Sequence, residues 1–307
     1  MLQINSSLDP KNTTKQVFKV QSNTGIEKIG QDLKSAGLIN NTGLFALYAK
    51  LGPSRGSLKP GVYLISPSMS LAAITDLIGS GKIATEKVTF QEGLTIDGVA
   101  RKWAREGLGT AQGFIDASKL TSYDQTFLQY RKNKQSLEGY LFPSTYEIVV
   151  STSAQEQINT MLNTFASQVL PKLDPTVANS PKLNDLITLA SIVEKEANTT
   201  SDRKMVASVF YNRLAIGMKL ESDVTVNYAT GKTETLAADV KINSPYNTYL
   251  VAGLPLGPIC NPSLDAILAT ANPSTSEYYY FIADRSGNVH FAKTYQEHQQ
   301  NIEKYLN

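Results

Sequence analysis

The sequence predicts an α+β protein, a small α/β module followed by a larger, mainly helical part that closes with a β-hairpin. Three observations predict it. Short alternating apolar runs and capped helical segments are interleaved in the first 84 residues. Helical periodicity dominates from about residue 95 to 240. Near the end, two apolar runs flank an Arg-Ser-Gly-Asn turn. A chain of 307 residues suits two units better than one core. The expected division is a flexible polar arm over 1–15, a module over 16–84 and a main domain over 85–307.

In the module, "QVFKV" alternates as a strand. Thr24 is placed to cap a helix with the apolar face Ile26, Ile29, Leu33 and Ala36, ended by Gly37. "NTGLFALYAKLG" predicts a second short helix, and "PGVYLI" a strand after a Pro-Gly turn. Ser70 caps a third helix, "LAAITDLIGSG". The main domain begins with the strand "KVTFQEG" and a helix between Thr95 and Gly107. Ser180-Pro181 predicts the start of a helix running through "LASIVEKEAN". "TTSDR" caps the next helix, which ends at Gly217. Residues 244–275 read as a long loop with one short helix, and long ordered loops often carry function. "EYYYFIADRSGNVHFAKT" is the hairpin.

Composition excludes several classes. With 41% hydrophobic and 18% charged residues the chain is globular. Lys and Arg number 29 against 27 Asp and Glu, mixed along the chain, which argues against nucleic acid as a partner. Cys260 is alone, so it reads as a packed small residue, and no intrachain disulfide forms. His290 and His298 lack the four-residue spacing of a helical zinc pair, so no structural metal is expected. No apolar run reaches the roughly 20 residues needed to cross a bilayer.

"LASIVEKEAN" ends an apolar helix in Glu194, Lys195 and Glu196. At about 100° per residue, the apolar positions from Leu183 to Ala197 fall within roughly 160° of arc. Glu194 lies inside that arc, Lys195 well outside and Glu196 just past its edge, so the last two read as the wet side. A carboxylate on an apolar face is either paired or protonated. Two readings stay open: an ion pair with Arg203 or Arg213 that ties two helices, or a general acid with a raised pKa. Other polar groups suited to one site are Glu138 and Tyr140 in "LEGYLFPSTYEI", Ser222, Asp223 and Thr225 in "ESDVTVNYA", and Ser244, Tyr246, Asn247 and Tyr249 in "SPYNTY". Tyrosines, 15 in all, offer an apolar ring with a polar rim, as sugars require. Asn247 and Asn261 equally suit turn-fixing roles.

Read in order, "LEGYLFPSTY", "LASIVEKEA", "VFYNRL", "GMKLESDVTVNYA", "SPYNTYLVAGLPLGPICNPS", "ANPSTSEYYYFIAD" and "HFAKTYQEH" resemble the MltG-like (YceG-like) endolytic murein transglycosylases over residues 85–307. The front module looks like the LysM-like domain that precedes the catalytic part in that family. The resemblance implies that Glu194 is the catalytic acid, that Glu138 shapes the site, and that "SPYNTY" and "NPS" line a glycan cleft. It implies peptidoglycan glycan strands as substrate, without cofactor or metal. It also implies peptidoglycan synthases (penicillin-binding proteins) and divisome or elongasome proteins as partners. An extracytoplasmic location held by an N-terminal membrane anchor is expected from it as well. The alternatives are a hydrolytic muramidase with Asp223 or Glu138 as second carboxylate, and a non-catalytic glycan-binding scaffold. Glu221 departs from the family's frequent Gln, and Val224 and Leu256 stand where "SDPT" and "GLPPGP" carry Pro.

Overall fold

A computed structural model describes residues 4–120 and 122–306, so the first three residues of the expected arm lie outside the described residues. Twelve α-helices and three two-stranded sheets among the described residues make the protein α+β. No helix among them is long and apolar enough to cross a membrane. The chain divides into Met1–Val88 with Tyr146–Thr152, and Thr89–Thr145 with Ser153–Asn307.

In the first unit, β1 (Gln16–Val20) pairs antiparallel with β2 (Gly61–Ile65), Phe18 opposite Tyr63. Alternation buries Phe18 and Val20 and leaves Val17 and Lys19 in solvent. Helices α1 (Ile26–Ser35), α2 (Thr42–Leu51) and α3 (Leu71–Ser80) supply Ile29, Leu33, Phe45, Ile74 and Ile78 to the same core. Asn41 and Ser70 cap α2 and α3, each accepting a main-chain N–H. Thr24 caps nothing: Gly25 is the N-cap of α1 and no side chain bonds there. Residues 4–12 of the expected arm lie against the module instead. Ala72 donates to the Ile4 carbonyl, Asp9 to Pro67 and Ser68 to Asn12, while Ile4 packs on the core. Strand β3 (Thr85–Thr89) pairs with β4 (Thr145–Val149), a strand inside a stretch whose sequence reads as helical.

The second unit is built on helices: α4 (Ile96–Arg105), α5 (Ala111–Ser118), α6 (Ala154–Gln168), the one-turn α7 (Pro175–Ala178), α8 (Lys182–Glu196), α9 (Thr200–Ala215), α10 (Asp223–Thr230) and α11 (Leu264–Ala271). Its last elements are the antiparallel hairpin of β5 (Tyr280–Ala283) and β6 (Val289–Ala292), then α12 (Tyr295–Tyr305). Helix α8 is the axis of this unit. From Leu183 to Val193 every residue except Asp185 is buried, polar ones included. Thr188 and Ser191 satisfy their hydroxyls on carbonyls within the helix, which makes burial on all sides tolerable. The apolar arc alone therefore does not single out Glu194. Leu189, Ile192 and Val193 pack with Val206 and Phe210 of α9 and with Ile259. Arg213, buried, donates to the carbonyls of Tyr279 at 2.6 Å and Leu220 at 2.7 Å, and so fastens the hairpin to α9.

Gly139 shows how tightly the unit closes. Its φ of +90° belongs to the left-handed region, and a Cβ there would lie 2.5 Å from Pro258 and 2.9 Å from Ile187. Gly139→Ala is expected to destabilise by about 2 kcal/mol or more through overpacking and backbone strain together. Urea unfolding monitored by circular dichroism measures this, and an unchanged midpoint would contradict the packing described.

Candidate active site

The loop before α11 carries Asn261, whose carboxamide uses both of its faces. Oδ1 accepts from the main-chain N–H of Gly139 at 3.0 Å and of Leu141 at 2.9 Å. Nδ2 donates to the Leu94 carbonyl at 2.9 Å and to Glu138 Oε1 at 3.2 Å. Main-chain bonds from Asn261 to Leu94 and from Gly93 to Asn261 complete the junction. Three segments remote in sequence thereby meet at one amide.

Glu138 stands beside that junction, only 4% exposed. Its carboxyl lies at the N-terminus of α4 and accepts from the Ile96 N–H at 3.0 Å and from the Tyr228 hydroxyl at 3.3 Å. Burial nevertheless dominates and pushes it up to about 8, against the hydrogen bonds from Ile96, Tyr228 and Gly139. Tyr228 is pushed up in turn by its own burial and by Glu138.

Glu194 is held differently. In the last turn of α8 the helix dipole disfavours a carboxylate. Two contacts offset this. Arg203 Nη2 lies 3.0 Å from Oε1, in a pair whose side chains are 13% and 7% exposed. Ser263, the N-cap of α11, donates its N–H at 2.9 Å and its hydroxyl at 2.5 Å to Oε2. Arg203 also pairs with Asp265 at 2.7 Å, so the same guanidinium binds α8 to α11. The ion pair anticipated from the sequence as one of two readings is thus present, with Arg203 and not Arg213. Gly93 approaches the same turn: a Cβ there would lie 3.7 Å from Glu194 Cγ.

Glu196 is not on a wet side. It is half-buried, accepts the Ser222 hydroxyl at 2.6 Å, and is raised by burial. Lys195 is exposed, as its position predicts.

A groove of about 940 Å³ runs between the start of α4, the end of α5 and α10. Glu138, Lys195, Asn227 and Tyr228 line it. Among the expected catalytic and substrate-binding residues, Glu138 is on this lining and Glu194 is not, although its neighbour Lys195 is; Asn261 holds Glu138, and Tyr246 packs its ring 4.8 Å from that of Tyr228. Several expected substrate contacts are corrected. Tyr140 is 1% exposed, packed between Phe127 and Phe165. Thr225 is buried against Thr248, and Ser222 is committed to Glu196 and Thr248. Asn247 is buried and donates to the carbonyls of Val240 and Ile242. Ser244 closes a turn by accepting the Tyr246 N–H. Asp223 accepts the Tyr249 hydroxyl at 2.8 Å, and neither lines the groove. Cys260 is buried and its thiol is pushed up by burial.

Tyr228 is not singled out by the sequence, Ser263 enters only as part of "NPS", and Arg203 only as one of two candidate partners of Glu194. Val224 and Tyr228 share a helical face, which was a usable signal, as was the Ser263 cap before "LDAIL". No sequence signal tells which arginine meets Glu194.

The YceG-like family description matches residues 18–304. A Streptococcus pneumoniae (serotype 2, strain D39) protein named endolytic murein transglycosylase is 34% identical over 320 residues, covering 94% of this chain and 58% of the relative. The chain thus spans less than two thirds of that relative's length. A Bacillus subtilis (strain 168) protein of the same name is 34% identical over 308 residues, covering 94% of this chain and 84% of the relative. A crystal structure of a yceG-like protein from Listeria monocytogenes superposes with a TM-score of 0.65 at 33% identity, covering 93% of this chain and 98% of the other.

Glu138 yields a signed prediction. Its folded value of about 8 exceeds the usual 4.5, so its contribution to stability is fully present below about 4.5 and is lost as pH rises through about 8. The shift corresponds to about 5 kcal/mol at its limit. The melting temperature should therefore fall between pH 5 and 9, and Glu138→Gln should flatten that fall. An equally steep fall in the variant would refute the assignment.

Proposed function

The chain belongs to the YceG-like family, and from that premise we propose that it cuts murein glycan strands internally, as an endolytic lytic transglycosylase. The observation that carries the reading is the placement of Glu194. It sits at the end of a buried helix, clamped by Arg203 and the N-terminus of α11, with Lys195 next to it on the groove lining.

In this reading Glu194, protonated, donates to the oxygen joining N-acetylmuramic acid C1 to N-acetylglucosamine O4. The C1–O bond breaks, the N-acetylglucosamine leaves with its 4-hydroxyl restored, and C1 gains oxocarbenium character. The 6-hydroxyl of the same muramic residue attacks C1 while the Glu194 carboxylate takes its proton. The product is a 1,6-anhydro end. Because the nucleophile is intramolecular, no second carboxylate and no water are required. Ser263 suits the proton cycle: its hydroxyl now donates to Oε2 and, by rotating, accepts from a protonated Glu194.

A specific observation favours a second assignment within the same reaction. Glu138 lines the groove and burial pushes it up to about 8, which supports it as the alternative donor. The first unit, with its strand–helix–helix–strand–helix order, is read as a LysM-like module that orients strands. On this reading the protein acts outside the cytoplasmic membrane, beside the polymerising synthases and the divisome or elongasome, and limits strand length.

Digestion of uncrosslinked glycan with end-group analysis tests the proposal. Wild type should yield products one water lighter than hydrolysis products and lacking reducing ends. Reducing ends alone would mean a hydrolytic muramidase. Glu194→Gln should lower the rate by about 10² to 10⁴-fold, with folding verified by circular dichroism because Arg203 loses one of its two carboxylate partners. An active Glu194→Gln beside an inactive, folded Glu138→Gln would transfer the donor role. Activity in both would refute the two assignments together.

A further inference from the structure

Four cations line the groove: Arg101, Lys119, Lys195 and Lys232. Two are already neutralised. Arg101 pairs with Asp97 within α4, and Lys232 Nζ lies 2.7 Å from Asp239. Lys119 and Lys195 are both exposed, and neither forms an ion pair among the described residues. The acids on the same lining are Asp97, committed to Arg101, and Glu138, buried and hydrogen-bonded. A chain carrying a net charge of only +2 thus gathers two uncompensated ammonium groups in one groove. A cleft lined by one sign of charge concentrates counter-ions of the other.

Lys195 is also seated. Gly93, at φ +73°, presents bare backbone beneath it: a Cβ there would lie 3.6 Å from Lys195 Cδ and 3.8 Å from Nζ. The aliphatic stem therefore rests on the Gly93 turn while the ammonium stays in the groove, the disposition a long cationic side chain favours. Lys119, beyond the end of α5, supplies the second charge.

We propose that Lys119 and Lys195 form a carboxylate-recognition site that selects glycan strands by the acidic groups borne on the lactyl arm of their muramic residues. The inference rests on the murein reading given above. Carboxylates arise there in two ways: free, on a muramic residue without a stem peptide, or within a stem peptide joined to the same arm. Lysine ammonium groups act as point charges and accept either geometry.

The test measures anisotropy of labelled strands on the Glu194→Gln protein, so that strands stay whole. The probes are stem-less strands, stem-bearing strands, and stem-less strands whose lactyl carboxyl is converted to a methylamide. The parent should bind carboxylate-bearing strands about tenfold more tightly than the methylamide, roughly threefold per lysine, and less so at high salt. Lys119→Gln with Lys195→Gln should abolish that difference, while Lys172→Gln, outside the groove, should leave it. A preference kept by stem-less strands identifies the lactyl carboxylate as the ligand; one confined to stem-bearing strands identifies the peptide. Equal binding of all three probes to the parent, or equal weakening of all three by the lysine substitutions, overturns the inference alone. Failure of every strand to bind overturns the murein reading and the inference with it.

Discussion

The hydrogen bonding of one carboxamide governs the geometry of the site. Asn261 is buried, and its two lone-pair directions and two N–H groups all find partners: Gly139 and Leu141 on one side, Leu94 and Glu138 on the other. No other side chain of this size offers two acceptor and two donor functions in a plane. An aspartate would set a charge against Glu138 and lose the side-chain bond to Leu94, and a leucine would leave buried main-chain groups unsatisfied. The turn at Gly93, the entry to α4 and the Glu138 loop inherit their positions from this amide, and the groove is the space between them.

Three glutamates in this unit meet the cost of burial in different ways. Glu138 is held toward its neutral form while still receiving three kinds of donor. Glu194 keeps company with a guanidinium and a helix N-terminus. Glu196 relies on one serine hydroxyl and is raised. A carboxylate facing a shared guanidinium and a cap is fixed in orientation more than in isolation it would be, because Arg203 is itself held by Asp265 and the Ala197 carbonyl. Such over-determination suits a group whose position matters to within fractions of an ångström.

Local signals carried much of the architecture. Caps at Ser70, Thr95 and Thr199, strand alternation in "QVFKV", and the Gly-containing turn before β6 are short-range features with short-range physics, and they correspond to the elements observed. The strand β4 was hidden because its partner lies 56 residues earlier, and Thr89 and Thr145 meet only in the folded chain. Helix α12 was missed although Thr294 and Glu297 form a capping box. In the candidate site, the motifs name segments that meet around Asn261 but not the orientation of their side chains. Tyr140, Thr225 and Asn247 have side chains suited to sugar and are spent on the interior. A helical face shared with Val224 marks Tyr228 as a candidate, but the string does not say whether that face meets a groove or a core.

The loop before α11 sets the separation of the two acids. Asn261 holds Glu138, and Ser263, two residues on, holds Glu194. Between them stands Pro262, whose ring fixes φ near −65°. Asn-Pro-Ser is therefore a spacer of fixed length with an acid at each end. Displacing this loop would shift an anchor of each acid at once, so the two positions are coupled through three residues. An insertion within Asn-Pro-Ser would shift one anchor against the other, whereas a change of side chain at either end would leave the length of the spacer alone.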